Sequence, residues 1–284
     1  MTSPAQAGRC LFAAAVLLCG SACDRELSAE LKAGSYPYPQ DAPPVRCNHV
    51  NQPPPAAFVD GFPFAPGFEL NLRAPLNYRH DRVHPLLLVF PAAGQSAASN
   101  ERYTHLTREA TSRGYIVAYL ASRPMTLKHI ETAMTAATAV SARWCVDEAQ
   151  IYATGHSNGG TLSVVAGILP ESPFRPRAIA PSAAGFSAVS LADFECPTTL
   201  PAMVTGKIDD RLFPGFAREL GDWLAHCNQC DPTAMHAAAG CYQYSGCPAG
   251  SPVVLCNAEG GHRGWPDNNA AMLEFFEQFR ADAK

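Results

Sequence analysis

The segment Ile151-Tyr152-Ala153-Thr154-Gly155-His156-Ser157-Asn158-Gly159-Gly160 decides the fold of this chain. It begins as a short apolar run typical of a buried strand and continues into the pattern Gly-x-Ser-x-Gly. A serine in this pattern lies on a sharp turn between a strand and a helix, where the glycines let neighbouring backbone approach without Cβ clashes. The segment therefore predicts a strand, a strained turn at Ser157 and a helix that begins at Asn158.

A serine hydroxyl is a weak nucleophile, so this pattern calls for a base and for an acid that orients the base. After such a turn the partners follow along the chain in the order Asp or Glu, then His. His262 lies in a glycine-rich loop after a predicted strand, whereas His226 and His236 lie in a cysteine-rich segment without such a loop. We therefore predict His262 as the base.

Two neighbouring carboxylates compete for the role of the acid. Asp209 and Asp210 both follow the predicted strand Ala202–Thr205, so either one would lie at the carboxyl edge of a parallel sheet. Open α/β sheets place their sites at this edge. We predict Asp209 as the acid, with Asp210 as the alternative.

Strand and helix patterns alternate from about residue 67 onward. Phe68–Arg73 alternates apolar and polar residues, as a half-buried antiparallel strand does, whereas Leu86–Phe90 is continuously apolar, as a buried parallel strand is. Five further segments resemble buried strands: Tyr115–Leu120, Gln150–Thr154, Ala178–Pro181, Ala202–Thr205 and Val253–Cys256. Apolar residues at helical spacing lie between Leu127 and Val140 and after Asn268. This order predicts an α/β fold, a mostly parallel sheet with helices on both faces.

These segments resemble the extracellular polyhydroxybutyrate depolymerase and feruloyl or acetylxylan esterase group of the α/β-hydrolase fold. The matching segments are Leu86–Gly94, Cys145-Val146-Asp147 with Ile151–Gly160, the Gly206-x-x-Asp209 loop, and Gly260-Gly261-His262 with Trp265-Pro266. The resemblance implies that Ser157 is the nucleophile, Asp209 the acid and His262 the base of a two-step acyl transfer. It implies no metal and no organic cofactor.

The loop after the first buried parallel strand departs from this group. Its members usually carry His-Gly where this chain has Pro91-Ala92. Proline has no N–H to donate, but the expected donor lies further along the loop, so we predict Ala93 and Asn158 as the oxyanion donors. Trp265, Trp223 and Tyr103 are candidate substrate contacts that could stack on a sugar or a ferulate, although such residues often serve packing alone.

The N-terminus predicts export. Arg9 precedes the apolar run Leu11–Leu18, which is shorter than a membrane-spanning helix and is followed by Gly20-Ser21-Ala22-Cys23. We predict a lipoprotein-type signal peptide over residues 1–22 with lipid on Cys23; the alternative is a simple secretory peptide that leaves Cys23 free. A proline-rich tether over 23–66 and a catalytic domain over 67–284 follow.

Eight cysteines remain after Cys23, an even number that predicts disulfides in an exported chain. They are Cys47, Cys145, Cys196, Cys227, Cys230, Cys241, Cys247 and Cys256. We expect a Cys145–Cys196 bridge, because each precedes a strand leading to a predicted catalytic loop, with Cys47 as a competitor that staples the tether to the core. The alternative, a zinc site around Cys227-x-x-Cys230, has unsuitable spacing to a second pair.

Charge and composition exclude some partners. The chain of 284 residues has a formal net charge of −4 and no run of Lys or Arg, which disfavours a nucleic-acid partner. We expect a monomer whose partner is an ester substrate and whose membrane contact is through the lipid only. The predicted function is an exported serine carboxylic ester hydrolase that releases acetyl or feruloyl groups from polysaccharide-derived esters. A polyester depolymerase and a non-catalytic binding protein on the same fold are the alternatives.

Overall fold

The computed structural model describes residues 32–40, 47, 56–197, 199–231, 233–238 and 240–280. The predicted signal peptide, Cys23 and most of the predicted tether lie outside these residues. The described strands form one ten-stranded sheet in the order β1-β2-β4-β3-β5-β6-β7-β10-β9-β8. Their bounds are β1 Phe58–Ala65, β2 Phe68–Arg73, β3 His84–Phe90, β4 Ile116–Leu120, β5 Val146–His156, β6 Ala178–Ser182, β7 Ala202–Lys207, β8 Ala234–Ala238, β9 Cys241–Tyr244 and β10 Val253–Ala258.

The centre of the sheet is parallel, as the continuous apolar runs predict. Strands β4, β3, β5, β6, β7 and β10 all pair in parallel, and β3 is buried along its whole length. Strand β2 pairs antiparallel with both β1 and β4, as the alternation over Phe68–Arg73 predicts. All the parallel strands therefore end at one edge, where β5 leads into Ser157.

Helices cover both faces of the sheet. Their bounds are α1 Ala97–Thr104, α2 Thr107–Ser112, α3 Leu127–Met134, α4 Ala136–Ser141, α5 Asn158–Ile168, α6 Ala188–Leu191, α7 Phe216–Cys227 and α8 Asn269–Glu277. Alternate residues of β3 point to opposite faces. Leu86, Leu88 and Phe90 join a core with residues of α3, α4, α5 and α7, whereas Leu87 and Val89 join a second core with residues of α1, α2 and α8.

The domain begins before residue 67, which corrects the predicted boundary. Strand β1 forms the edge of the sheet, and it tolerates Pro63 because an edge strand does not need every N–H for pairing. Residues 32–40 also pack on the domain: Ala33 is buried, and the Gly34 N–H donates to Thr111 Oγ1 at 2.7 Å. Proline density alone therefore overstates the length of the tether.

The eight described cysteines form four disulfides. The pairs are Cys47–Cys145, Cys196–Cys227, Cys230–Cys247 and Cys241–Cys256. The predicted Cys145–Cys196 bridge is wrong, because β5 and β7 are separated by β6 and two strand spacings of roughly 5 Å exceed the reach of a disulfide. Cys47 does staple the N-terminal segment to the domain, as expected.

The cysteine-rich segment extends the sheet, and Cys227, Cys230, Cys241 and Cys247 are joined in disulfides. Strands β8 and β9 form an antiparallel pair that continues from β10, and Cys241 lies opposite Cys256 in the β9–β10 register. Among the described residues, His, Cys, Asp and Glu form no group of three or more that could hold a metal ion. Within the same ranges, none of the helices combines the length and the apolar character that a bilayer crossing needs.

Candidate active site

Ser157 lies on the sharp turn that the sequence predicts between β5 and α5. Its backbone has φ 55° and ψ −117°, a conformation that L-residues other than glycine rarely adopt. Strain of this kind persists only where the surroundings hold it in place, and it is concentrated at functional sites. Here the Ser157 N–H donates to the Ser182 carbonyl at 2.9 Å, which fixes the turn to the end of β6.

The three glycines around Ser157 are required by close backbone contacts. A Cβ on Gly159 would lie 2.2 Å from the Phe90 carbonyl oxygen, and a Cβ on Gly160 would lie 2.4 Å from the Ser182 carbonyl oxygen. A Cβ on Gly155 would lie 2.6 Å from both the Gly159 and the Phe90 carbonyl oxygens. Any side chain at these positions would push α5 away from the ends of β3 and β6, and Ser157 would move with the helix.

Three side chains form a continuous hydrogen-bonded chain at this edge of the sheet. His262 Nε2 lies 2.8 Å from Ser157 Oγ, and His262 Nδ1 lies 2.8 Å from Asp210 Oδ2. The carboxylate cannot donate, so Nδ1 carries the proton and Nε2 is free to accept the hydroxyl proton of Ser157. This is the arrangement of nucleophile, base and orienting acid that acyl transfer requires.

The carboxylate in this chain is Asp210, which corrects the prediction of Asp209. The loop after β7 turns so that Asp209 is exposed and Asp210 is buried against His262. Asp210 Oδ1 accepts hydrogen bonds from the backbone N–H groups of Leu212 and Phe213, both at 2.9 Å, which leaves Oδ2 for the imidazole. Adjacent residues of a turn point in different directions, and here the turn selects the second aspartate.

The environment of Asp210 keeps its carboxyl group ionised. Burial alone would raise its pKa, but the hydrogen bonds from His262, Phe213 and Leu212 outweigh burial and hold the pKa of Asp210 below its ordinary value. Phe213 also lies edge-on to the His262 ring, with 5.0 Å between the ring centroids. Asp210 is therefore suited to stabilise an imidazolium on His262.

The two predicted oxyanion donors lie at the start of α5 and in the loop after β3. Asn158 is the first residue of α5, where a backbone N–H has no partner within the helix. In the loop after β3, the N–H groups of Ala92 and Gly94 donate to Gln95 Oε1 at 2.9 Å and to Ser122 Oγ at 3.0 Å. No acceptor among the described residues takes the intervening N–H of Ala93.

Two side chains hold the backbone of the His262 loop by hydrogen bonds, a role that the sequence did not predict. His156 Nε2 lies 2.5 Å from the His262 carbonyl oxygen, and Tyr103 Oη donates to the Arg263 carbonyl at 2.9 Å. Burial lowers the pKa of His156 to about 4 and raises the pKa of Tyr103 to about 12, so both are neutral near pH 7. His156 lies inside the Gly-x-Ser-x-Gly pattern, yet nothing in the pattern itself signals its role.

The aromatic residues suggested as substrate contacts have structural partners. Tyr103, His156 and Trp265 form one cluster with centroid separations of 5.6 to 6.4 Å, and Trp265 Nε1 donates to Asn269 Oδ1 at 2.8 Å. Trp223 lies on α7 and packs against the core. Tyr103 and Trp265 remain half-buried beside His262, so substrate contact by these two residues stays a prediction.

Comparisons with known proteins agree with this fold. The family model for acetyl xylan esterase (AXE1) matches residues 81–195, which include Ser157 but neither Asp210 nor His262. No curated protein sequence matches the chain. This match covers less than half of the chain and is a similarity to the family.

Three solved structures illustrate the likeness of fold. An acetyl xylan esterase from Aspergillus awamori is 15% identical over 78% of this chain and 98% of its own, with a TM-score of 0.51. A carbohydrate esterase from gut microbiota is 12% identical over 79% and 95%, with a TM-score of 0.53. An esterase from Thermogutta terrifontis with bound butyrate is 14% identical over 81% and 97%, with a TM-score of 0.53. The chain has the α/β-hydrolase fold.

Proposed function

We propose that this chain is an exported serine carboxylic ester hydrolase that releases acetyl or feruloyl groups from polysaccharide-derived esters. The observation that carries the proposal is the hydrogen-bonded chain from Ser157 through His262 to Asp210 at the carboxyl edge of the sheet. The similarity to the acetyl xylan esterase family and to carbohydrate esterase structures supports this substrate class. The four disulfides are consistent with export, because disulfides persist in oxidising compartments.

The first step is attack on the ester carbonyl carbon by Ser157 Oγ. His262 Nε2 takes the hydroxyl proton as the new C–O bond forms, and Asp210 stabilises the resulting imidazolium through Nδ1–H. The N–H groups of Asn158 and Ala93 donate to the oxyanion of the tetrahedral intermediate, each worth about 2.7–4 kcal/mol by analogy with one such donor in a protease. The intermediate collapses, His262 protonates the leaving alkoxide, and an acyl-enzyme remains on Ser157.

The second step repeats this chemistry with water. His262 accepts a proton from water as the water oxygen attacks the acyl carbon, and the same two N–H groups stabilise the second oxyanion. Cleavage of the bond to Ser157 Oγ then releases the carboxylic acid, while His262 returns the proton to the serine. The net reaction converts an ester and water into a carboxylic acid and an alcohol, with no change of oxidation state.

Replacement of the nucleophile and the base tests this proposal. Ser157→Ala and His262→Ala should each lower kcat for p-nitrophenyl acetate by roughly 10⁴–10⁶-fold, by analogy with triad knockouts in another serine hydrolase. Ser99→Ala, on the surface helix α1, is the matched control and should retain wild-type turnover. A folded Ser157→Ala protein with more than about a tenth of wild-type activity would refute the assignment. Complete inactivity of the wild type on esters would favour the non-catalytic binding protein.

The polyester depolymerase is the second candidate, because the sequence resembles a group that contains such enzymes. Acetylated and feruloylated xylo-oligosaccharides and a polyhydroxybutyrate film, each incubated with purified mature protein, separate the two. We expect acetate or ferulate release to outpace erosion of the film. Release of hydroxybutyrate with the oligosaccharides untouched would reverse this order.

A further inference from the structure

The His262 imidazole turns about χ2, a torsion whose energy wells are broad. Two hydrogen bonds restrain this torsion: Nδ1 lies 2.8 Å from Asp210 Oδ2, and Nε2 lies 2.8 Å from Ser157 Oγ. In the proposed reaction the second bond is temporary, because Nε2 must turn its proton from the serine oxygen to the leaving oxygen. A contact against the ring itself would keep the imidazole in place during this transfer.

Phe213 makes such a contact. The centroids of the Phe213 and His262 rings are 5.0 Å apart, and the ring planes are at 86° to each other. The Phe213 backbone N–H also donates to Asp210 Oδ1 at 2.9 Å, so one residue restrains both the imidazole and the carboxylate. His156 is a second neighbour of the imidazole, with 5.3 Å between centroids, and its own hydrogen bond goes to the His262 backbone. Phe213 is therefore placed to limit the turn of the imidazole directly.

Two neighbours hold the Phe213 ring. It is stacked on Phe216, the first residue of α7, with 5.3 Å between the centroids and 14° between the planes. It also lies against Gly185 in the loop after β6, where an added Cβ would be 3.1 Å from Phe213 Cζ. The φ of Gly185 lies outside the left-handed region. The space that Phe213 takes, and not the backbone conformation, therefore accounts for a glycine at position 185.

Gly185 is tied in turn to the backbone of the nucleophile. Its N–H donates to Thr161 Oγ1 at 2.9 Å, and Thr161 Oγ1 donates to the Ser157 carbonyl at 3.2 Å. Contacts thus run from Ser157 through Thr161 and Gly185 to Phe213. From Phe213 they continue to His262, whose Nε2 returns to Ser157 Oγ. Nucleophile and base are therefore joined by a second route besides their own hydrogen bond.

We infer that Phe213 is a positioning residue that holds the His262 imidazole in place while its proton passes from the serine to the leaving group. The inference rests on the proposed ester hydrolysis. In the collapse of the tetrahedral intermediate, the Nε2–H bond of His262 breaks, the O–H bond of the alcohol forms and the ester C–O bond breaks. At that moment Nε2 no longer bonds Ser157 Oγ, and the Phe213 ring limits how far the imidazole turns.

Two acetate esters with different leaving groups test this inference. Both form the same acetyl-enzyme, and kcat/KM reports the steps up to its formation. p-Nitrophenolate is a stable anion that leaves without a proton, whereas ethoxide must take one from His262. In Phe213→Leu, which keeps the N–H to Asp210, we expect the ethyl-to-p-nitrophenyl ratio of kcat/KM to fall about tenfold, because small displacements of catalytic groups have effects of this size. An equal loss on both esters would overturn the inference while leaving ester hydrolysis intact.

Phe62→Leu is the matched control. Phe62 is half-buried like Phe213, and it makes a contact of the same geometry with Trp144, with 5.1 Å between centroids and 88° between planes. It lies on β1 at the edge of the sheet, with β2, β4 and β3 between it and β5. Because only packing is lost in Phe62→Leu, the ester ratio should stay within about twofold of wild type. Equal ratios in Phe62→Leu and Phe213→Leu would overturn the inference.

Gly185→Ala is a second variant, which carries the test if Phe213→Leu does not fold. Its methyl group would lie 3.1 Å from Phe213 Cζ, so the ring must shift. We expect the ester ratio to fall about threefold, because the ring is displaced and not removed. In the double variant Gly185→Ala/Phe213→Leu, the alanine should add no further loss, since its effect acts through the ring. Additive losses would overturn the inference. If the wild type hydrolyses neither ester, the proposed function fails and the inference fails with it.

Discussion

The imidazole of His156 donates a hydrogen bond to the backbone carbonyl of His262, the proposed base. His156 is the residue directly before the proposed nucleophile, Ser157. The carbonyl oxygen only accepts, so the 2.5 Å contact requires the proton of His156 to be on Nε2. His156 Nδ1 then accepts from the Ser182 hydroxyl at 3.0 Å. Burial lowers the pKa of His156 to about 4, which keeps this single tautomer over the working range of a histidine base.

This relationship predicts that His156 positions His262 without touching the reacting atoms. In His156→Phe, both hydrogen bonds are lost and the His262 loop is free to shift relative to Ser157. We expect kcat for p-nitrophenyl acetate to fall about 10–100-fold, because small displacements of catalytic groups have effects of this size. KM should change less than about twofold, since substrate contacts are retained. Steady-state kinetics on both proteins measures this split.

The control for this experiment is His156→Gln. Its amide can donate to the His262 carbonyl and accept from Ser182, so it should recover most of the lost kcat. Equal losses in the two variants, or a rise in KM with kcat unchanged, would contradict a positioning role. Thermal unfolding of both variants would show whether a general loss of stability accounts for the change.

The two neighbouring aspartates should differ sharply in their effect on catalysis. Asp210→Asn keeps the shape of the side chain but removes the charge that stabilises the His262 imidazolium, and it allows the wrong tautomer. We expect kcat to fall by about 10⁴-fold, as for the corresponding change in a serine protease. Asp209 is exposed, and the carboxylate hydrogen-bonded to His262 is that of Asp210, so Asp209→Asn is the matched control. Assays of p-nitrophenyl acetate at one pH are sufficient.

The opposite result, with Asp209→Asn inactive and Asp210→Asn near wild type, would restore the acid that the sequence favoured. Partial losses of similar size in both variants would instead indicate that the loop after β7 is disturbed as a whole. In that case neither residue could be assigned, and the hydrogen bond between Asp210 and His262 would not describe the active enzyme.

Most of the site could be predicted from sequence because its requirements are local. The turn at Ser157 needs glycines at fixed offsets. A Cβ added to Gly155, Gly159 or Gly160 would lie within 2.6 Å of neighbouring backbone atoms. The central strands are buried on both faces and therefore read as apolar runs. His262 was identifiable because it follows a strand in a glycine-rich loop.

The features that the sequence missed depend on packing between distant segments. The turn after β7 decides whether Asp209 or Asp210 faces His262. This turn is held by hydrogen bonds from the backbone N–H groups of Leu212 and Phe213 to the Asp210 carboxylate. The hairpin β8–β9 lies in a segment rich in alanine, where neither helical nor strand periodicity is clear. The pair Cys241–Cys256 joins β9 to β10, and Cys196–Cys227 joins the segment before β7 to the end of α7; the order along the chain gives neither pairing.

The disulfide between Cys196 and Cys227 should stabilise the domain. It joins the segment before β7 to the end of α7 and closes a loop with a sequence separation of 31 residues. A loop of this size contributes about 3–4 kcal/mol in the chain-entropy model. The double variant Cys196→Ser/Cys227→Ser should therefore lower the free energy of unfolding by up to that amount, as measured by urea denaturation without reductant.

Peptide mapping without reduction checks the pairing itself. We expect one linked peptide pair that contains Cys196 and Cys227 and another that contains Cys47 and Cys145. A linked pair of Cys145 and Cys196 would contradict the arrangement of strands. A double variant that unfolds at the same urea concentration as the wild type would show that this bridge adds nothing to stability.

His156 should make the stability of the protein depend on pH between about 4 and 6.5. The pKa of its imidazole falls from the ordinary 6.5 to about 4 in the folded protein, because burial disfavours the charged form. Above pH 6.5 the imidazole is neutral in both states. As the pH falls toward 4, the unfolded chain binds the proton first, so the free energy of unfolding decreases by up to about 1.4 kcal/mol per pH unit.

The His156→Gln variant isolates this contribution, because other buried groups titrate equally in both proteins. His84 is one such group, since burial also lowers the pKa of its imidazole. Urea denaturation at pH 7, 6, 5 and 4.5 should show a steeper loss of stability in the wild type than in the variant, with the difference confined to the range below pH 6.5. Parallel curves would mean that His156 binds its proton equally well in the folded and unfolded states, and that its imidazole is not held neutral behind His262.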